Sequence, residues 1–368
     1  MPWLRDLVRS MPPDVICHVA AQRARDPDRS DVARLHLPRR AGLPERLVRR
    51  IRRLAGRTVA GRHIELVAMR VRPDIVHSHF GGRGWADRRA ARLVGAGHAT
   101  SFYGFDVDFR PRDAPVWRER YRDLFRSVQR VLVLGPRMAD RVRELGCPAE
   151  KLVVHHIGVD TAVVAFRPRR WTPDQPLRIL MAASFRPKKG LPLGIEAAAR
   201  LARRVPVEVT IIGDAGSDAR SVDEKRRLLA AIDRGGLGDR VRLLGYQPRS
   251  VLFDEAYRHD VYVAPSLTDA AGDTEGTPVA LMDMMASGMP VVSTFHSDIP
   301  EVVEHGRTGR LAPEGDVAAI ERELGWWVDH PDEWDTLLGA ARAHIAREFD
   351  ARRQGERLAA LYRAMLEG

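Results

Sequence analysis

The sequence predicts two doubly wound α/β domains, each built on a parallel sheet. Three observations carry this. Short apolar runs alternate with helix-period runs along almost the whole chain. Those runs lack the polar alternation of a half-exposed strand, as expected for parallel strands buried on both faces. The chain has 368 residues, more than one core of ordinary size accommodates.

The elements follow in order. The chain opens on PWLRDLVRSM, which is helix-like, and then DVICHVA, which is strand-like. A domain of this kind normally begins with a strand. Either its first strand and loop are absent or the true start lies upstream. DIVHSHF, HATSFYG, RVLVLG and LVVHH then read as strands of the first half. LRILMAAS, VEVTIIG, VRLLG, VYVAPS and PVVST read as strands of the second. Between them lie helical patterns such as APVWRERYRDLFRSV, RMADRVRELG, LPLGIEAAARLARRV and EKRRLLAAIDRGG. The stretch 166–176, FRPRRWTPDQP, is rich in Pro and Arg, has no period and reads as a linker. The expected division is a first domain over 1–165, a second over 177–348, and a last helix over 349–368 that returns to the first domain. Ligands of such folds bind at the C-terminal ends of the strands.

Composition bounds the setting. Cys17 and Cys147 are the two cysteines, far apart and without metal-ligand spacing, which favours a reducing compartment over a disulfide framework. No apolar run approaches the ~18 residues of a membrane span, and the first residues have no signal-peptide core. The expected location is cytoplasmic. Charge is uneven: residues 1–170 carry 35 Lys and Arg against 18 Asp and Glu, and the rest carry 25 against 31. A basic half suits an anionic partner. The helix-like stretch 43–57, LPERLVRRIRRLAGR, sets Leu47, Ile51, Leu54 and Ala55 on one face, flanked by arginines. Such a helix lies on an anionic membrane surface or packs on a sheet with its arginines in water.

The chemistry concentrates in DTEGTPVALMDMMASGMPVV. Thr277 suits an N-cap and Pro278 a first helical position, with Gly288 just past the helix end. A helix start presents unpaired N–H groups and a positive dipole end, which suit a phosphate. Gly276 lets the backbone approach a ligand closely. Glu275 precedes the helix and Asp283 lies inside it, seven residues intervening. Two acids so placed reach different hydroxyls of one ligand whose phosphate sits at the helix start, as a sugar nucleotide requires. A capped surface helix with ordinary acids is the plain alternative.

EGTPVALMDMMASGMPVVST resembles the donor-site motif of the retaining family 4 glycosyltransferases, an E-x7-E pattern within EG.P..LLEAMA.G.PVV. HSDIPEVVEHGRTGRLAPEGD, FRPKKG and VRLLGYQPRSVLFDEAYRHDVYVAPS are similar to further segments of that family, as are IVHSHF, TSFYGFDV and CPAEKLVVHHIGVD in the first half. The resemblance runs from about residue 70 to the C-terminus, and its second-half motifs are specific together. It implies a GT-B fold: two Rossmann-like doubly wound parallel-sheet domains facing an interdomain cleft, acceptor side on the first, nucleotide-sugar donor on the second. It also implies transfer with retained anomeric configuration and no required metal ion. The literal D-x-D at 106–108 falls in the first domain, beside the acceptor-side motif.

Carried residue by residue, the resemblance makes Lys189 the cation that stabilises the departing diphosphate. Ser184 stands where the family has an Arg, with Arg186 two residues on as a substitute. Glu275 contacts the transferred sugar, and the backbone of Gly276, Thr277 and Pro278 lies near sugar or phosphate. Asp283 replaces the family's second Glu, which grips the ribose, and is one methylene shorter. Gly213, in IIGDAG, makes the strand-to-loop turn over the nucleotide. On the acceptor side Asp106 matches the family's aspartate and is expected to be catalytic together with Lys189 and Glu275, Tyr103 stands where a His is common, and His79 lines the cleft or is satisfied by backbone. The implied activity is transfer of a sugar to a glycan or lipid-linked acceptor in cell-surface polysaccharide or glycolipid synthesis, at the inner membrane face. The substitutions at Ser184, Tyr103 and Asp283 also fit an inactive relative that binds glycans or partners. The basic half fits a nucleic-acid binder, though it lacks interleaved aromatics and any nucleic-acid motif.

Overall fold

A computed structural model describes residues 2–21, 34–37 and 59–367. The basic stretch 43–57 lies outside the described residues but for its neighbour, the helix Val59–Val71. The chain divides into two compact units, Met1–His155 with Arg352–Gly368, and His156–Ala351. The Pro/Arg-rich stretch 166–176, read from composition as the linker, therefore lies within the second unit. The reason is Arg169, a buried guanidinium that donates to the carbonyls of Ala256 and His259 and to Ser287. Arg342 ties the same region by donating to the carbonyls of Thr161, Val164 and Ala286.

In the first unit the helix Pro2–Arg9 precedes two short strands, β1 (Val19–Ala20) and β2 (Leu35–His36), which pair with each other. The main sheet holds β3 (Ile75–His79), β4 (Gly97–Ser101), β5 (Arg130–Val133) and β6 (Leu152–Val154), all parallel, in the order β3-β4-β5-β6. The helix Gly81–Val94 crosses over between β3 and β4. Its glycine-rich start is a packing device. A Cβ on Gly81 would lie 2.3 Å from the ring of Phe102, so the helix could not sit this close to the sheet with a larger residue. Ala99 and Leu132 of the sheet pack against Leu358 and Met365 of the last helix, Ala351–Glu367.

The second unit holds β7 (Leu177–Ala182), β8 (Val207–Ile212), β9 (Val241–Leu243), β10 (Val261–Val263), β11 (Val291–Thr294) and β12 (Arg310–Ala312). They form one parallel sheet in the order β12-β11-β10-β7-β8-β9. This is the Rossmann order, and the direction of winding reverses between β7 and β10. In doubly wound folds ligands bind beyond the C-terminal strand ends at such a reversal. Helices Leu191–Leu201, Ala219–Arg234 and Val317–Asp329 are packed with the sheet through Ile195, Leu228 and Ile320. The helix Val279–Ala286 is buried almost all round, with Met282, Met284 and Met285 fully enclosed.

Candidate active site

The loops that leave the strand ends carry the sequence-derived residues of the second unit. Lys189 follows β7 on a short 3-10 turn, Pro187–Lys189. Glu275 follows β10 and precedes the helix Val279–Ala286. Their side chains pair, Lys189 Nζ on Glu275 Oε2, across the point where the winding reverses. Both are largely buried. Burial pushes the Glu275 carboxyl up, but Lys189 and then Lys188 outweigh it and hold its pKa at about 2. Glu275 is therefore ionised near pH 7 and paired with the Lys189 side chain.

Lys188 does different work. Its ammonium donates to Asp273 Oδ1 at 3.1 Å and to the Thr274 carbonyl at 2.8 Å, and its carbonyl accepts from the Leu267 N–H. It pins the loop 267–275 against the β7 turn. Asp269 shapes the same loop from inside, accepting from the amides of Ala271 and Asp273 and pairing with Arg220. The loop is thus a polar structure tied at several points, and it presents Glu275.

Thr277 does not cap the helix. The helix begins at Val279, and Pro278, in an extended conformation, occupies the N-cap position. The expected start is displaced by one residue, and no side-chain hydrogen bond caps the helix. Thr277 is 5% exposed, and its Oγ1 is buried without a hydrogen-bond partner. Gly276 is buried beside it. Gly213, at the end of β8, has φ 127°, and a Cβ there would lie 1.8 Å from the Ala183 carbonyl oxygen. Only glycine fits, and its N–H donates to the Gly245 carbonyl at 2.8 Å. Ser184 is exposed. Arg186 pairs with Asp218 at 2.9 Å, and Asp218 caps the helix Ala219–Arg234. The Arg186 carbonyl accepts from the Lys189 N–H at 2.9 Å, while its guanidinium is turned to Asp218. Asp283 is buried, and Arg249 holds it at 2.6 Å.

In the first unit the acceptor-side residues form a second cluster. Asp106 is fully buried and accepts from the Gly81 N–H at 2.5 Å and the Tyr103 N–H at 2.8 Å. It fastens the loop after β4 to the start of the helix after β3. Burial raises its pKa to about 6, against those two backbone donors. Asp108 pairs with Arg141 at 3.1 Å, so the two acids of the D-x-D match have separate structural partners. His79 Nδ1 and the Tyr103 hydroxyl are hydrogen-bonded at 2.7 Å. Burial and then the charge of His155 lower His79 to about 4, which leaves it neutral near pH 7. Burial raises the Tyr103 phenol, which stays protonated. Trp3 packs on both rings, at 5.3 and 4.8 Å between centroids.

Three participants in the second unit carry no signal of their own in the sequence: His296, Glu314 and Arg249. Each acts on a partner at least 18 residues away, which only the fold brings near.

A Lys–Glu ion pair at the winding reversal, beside the start of a buried helix, marks the candidate site of a doubly wound α/β domain. Comparison with known proteins makes this specific. Residues 2–163 match the family described as Glycosyltransferase Family 4, and residues 176–330 match Glycosyl transferases group 1. The amylovoran biosynthesis glycosyltransferase AmsK of Erwinia amylovora is 37% identical over 283 residues, 75% of this chain and 67% of that protein. WcaL of Escherichia coli, a glycosyltransferase assigned to colanic acid biosynthesis, is 35% identical over 306 residues, 81% of this chain and 72% of that protein. Among solved structures, Anabaena HepE in complex with UDP has a TM-score of 0.70 at 18% identity, covering 82% of each chain. Sucrose-phosphate synthase of Thermosynechococcus elongatus has a TM-score of 0.72 at 18% identity, over 91% of this chain and 83% of that one. The chain belongs to the group 1, family 4 glycosyltransferases. Its two parallel-sheet α/β units are the two Rossmann-like domains of the GT-B fold, and it is an enzyme of glycosyl transfer.

Proposed function

We propose that the protein transfers a sugar from a nucleotide-sugar donor to a glycan or lipid-linked acceptor, with retention and without a metal ion, in cell-surface polysaccharide or glycolipid synthesis. The observation that carries this is the ionised Lys189–Glu275 pair at the winding reversal, next to the start of the helix Val279–Ala286. A departing nucleoside diphosphate needs fixed positive charge. Lys189 and the first amides of that helix supply it in a site where charge stabilisation is worth most. Donor phosphate draws the Lys189 ammonium, and the Glu275 carboxylate then accepts from sugar hydroxyls. The orphaned Thr277 hydroxyl fits a ligand that completes its hydrogen bonding.

In this reading Asp283 acts at the ribose end through its Arg249 partner, Gly213 keeps the strand end open to the nucleotide, and Ser184 and Arg186 lie on its flank. His79 and Tyr103 face the acceptor side, with Asp106 organising them rather than reacting. No enzyme carboxylate attacks the sugar. The acceptor hydroxyl proton passes to a donor phosphate oxygen as the new glycosidic bond forms on the face the leaving group departs from. Cation stabilisation by Lys189 makes the metal dispensable.

The relatives' roles in amylovoran and colanic acid synthesis support the polysaccharide setting. An aromatic, cationic surface on the first unit supports docking at an anionic membrane face from the cytoplasmic side. Arg120 lies 4.6 and 4.7 Å from the ring centroids of Trp85 and Trp117, Arg88 and Arg110 flank the same rings, and Phe105 is 39% exposed nearby. Among the described residues no helix is long and apolar enough to cross a membrane.

The test is incubation with UDP-, GDP- and dTDP-sugars, starting from UDP-glucose, with oligosaccharide and lipid-linked acceptors. Nucleoside diphosphate release together with thermal stabilisation by one donor is the expected result. Stabilisation without turnover under every acceptor would favour a glycan- or partner-binding relative. Salt-sensitive DNA binding with no response to any nucleotide would favour the nucleic-acid reading.

A further inference from the structure

Glu275 is held from two sides. Lys189 holds its carboxylate, and a histidine from the next strand end holds its backbone. The Glu275 N–H donates to His296 Nε2 at 2.9 Å. Across the ring, His296 Nδ1 lies 2.7 Å from Glu314 Oε1. His296 is 1% exposed, so neither nitrogen has water as a substitute partner. The second Glu314 oxygen accepts from the Thr268 N–H at 2.7 Å, which returns the network to the same loop.

The geometry fixes the tautomer. A backbone N–H always donates, so Nε2 must accept, and the single ring proton sits on Nδ1, facing the carboxylate. A carboxylate that orients an imidazole in this way sets both its tautomer and its plane. The residues come from successive strand ends of the sheet: Glu314 after β12, His296 after β11, Glu275 after β10 and Lys189 after β7.

We propose that the Glu314–His296 pair is a positioning device for Glu275, fixing the height and direction of its carboxylate over the winding reversal. His296 itself meets the Glu275 backbone and the Glu314 carboxylate. This deepens the glycosyltransferase reading and rests on it for its catalytic consequence, but not for its structural one. The loop 267–278 is long and polar. Lys188 and Arg220 fix its near side, and among the described residues His296 alone accepts from the Glu275 amide.

The experiment has two readouts. Amide hydrogen exchange of peptides spanning 268–278 is measured in the wild-type protein, His296→Ala, His296→Gln and Glu314→Gln. Steady-state kinetics are measured on the same four proteins with UDP-glucose, or with whichever donor the panel selects. Exchange is expected to rise about tenfold or more in His296→Ala. His296→Gln, whose amide oxygen can take the Glu275 N–H, is expected to recover most of the protection. Glu314→Gln is expected to fall between. The kinetic expectation is a loss of 10- to 100-fold in kcat for His296→Ala, with donor KM changed less than threefold, because binding at the phosphate is untouched while the sugar is misplaced. Unchanged exchange in a folded His296→Ala protein overturns the proposal, as does a loss confined to KM. Should the wild-type protein turn over no nucleotide sugar, the glycosyltransferase reading fails while the exchange data still decide whether His296 fixes Glu275.

Discussion

Arg249 holds Asp283 through two guanidinium hydrogen bonds, Nη2 to Oδ1 at 2.6 Å and Nε to Oδ2 at 3.3 Å. The carboxylate sits inside a helix whose other faces are apolar, with 3% of its side chain exposed. A buried acid of this kind depends on its cation. Breaking such a pair from one side costs roughly 3–5 kcal/mol, because the remaining charge stays buried. Arg249→Ala is expected to lower stability by about that much, and Arg249→Met/Asp283→Leu by much less. Denaturant unfolding of Arg249→Met, Asp283→Leu and the double variant measures the coupling directly.

The same pair changes what is expected of Asp283→Glu. The sequence alone suggests that the longer side chain restores the family's ribose grip. In the structure the extra methylene must fit where Arg249 already closes the space, so overpacking of about 1–3 kcal/mol is expected. The variant should keep turnover with a raised donor KM. A lower donor KM would show that Asp283 reaches the donor directly.

Lys189 and Glu275 share a prediction with a sign in pH. Glu275 titrates near 2 in the folded protein and near 4.5 unfolded. Its contribution to stability is therefore full above 4.5 and is lost as pH falls through about 2. Glu275→Gln should lower transfer by roughly 100-fold or more, since one fixed group of the site is gone, and should also lower stability, since the Lys189 ammonium loses its partner. Lys189→Met should lose comparable activity and also destabilise, leaving the Glu275 carboxylate buried with Lys188 alone nearby. Diphosphate release and thermal unfolding on both variants separate the two effects.

Much of this was legible in the sequence, for stated reasons. Parallel strands buried on both faces are apolar runs, so LRILMAAS and VEVTIIG declare β7 and β8 directly. EGTP ahead of an apolar helix-period run declares the loop-to-helix junction that carries Glu275. The helix Gly81–Val94 is harder to read, because its GGRG start looks like a loop when the ring of Phe102 that demands glycine is not in view. Arg249, His296 and Glu314 lie in segments that resemble the family, but their roles are unreadable for a different reason. Each acts through tertiary contacts with residues distant in sequence, which no local period or spacing reveals.

Asp106 is expected to be a fold-determining residue of the first unit. Its carboxylate satisfies two buried amides, and the residue before one of them, Phe80, holds φ 74°, which a non-glycine residue seldom adopts. Leaving a buried donor unsatisfied costs about 1–3 kcal/mol each. Asp106→Ala should therefore lose roughly 2–5 kcal/mol, and Asp106→Asn less, since its amide oxygen still serves one N–H. Exchange of β3 and β4 amides reports this without interference from the second unit.

The first unit should also lose stability on mild acidification, more gently than its histidines alone would dictate. Burial lowers His79 and His98 to about 4, with His155 and Arg88 adding charge repulsion, and His77 is lowered as well. Unfolded, a histidine titrates near 6.5, so between 6.5 and 4 the unfolded chain binds more protons and acid favours unfolding. Burial raises Asp87 and Asp106 to about 6, above the 3.8 of a free aspartate. Between 6 and 3.8 the folded chain binds more protons at these two sites, and acid favours folding. Asp87 accepts from the Ser78 hydroxyl at 3.1 Å, and Ser78 also meets His98 Nε2 at 3.1 Å, so the opposing groups share one network. Asp87→Asn removes one opposing term and keeps the shape. Its stability should fall with acid more steeply than wild type, by about 1.4 kcal/mol per pH unit between 6 and 4. Exchange-derived opening energies of β3 and β4 at pH 6.5, 5.5 and 4.5 measure the slope. Parallel slopes for the two proteins would mean that Asp87 is ionised in the fold at all three, and that Arg83, not burial, sets its charge.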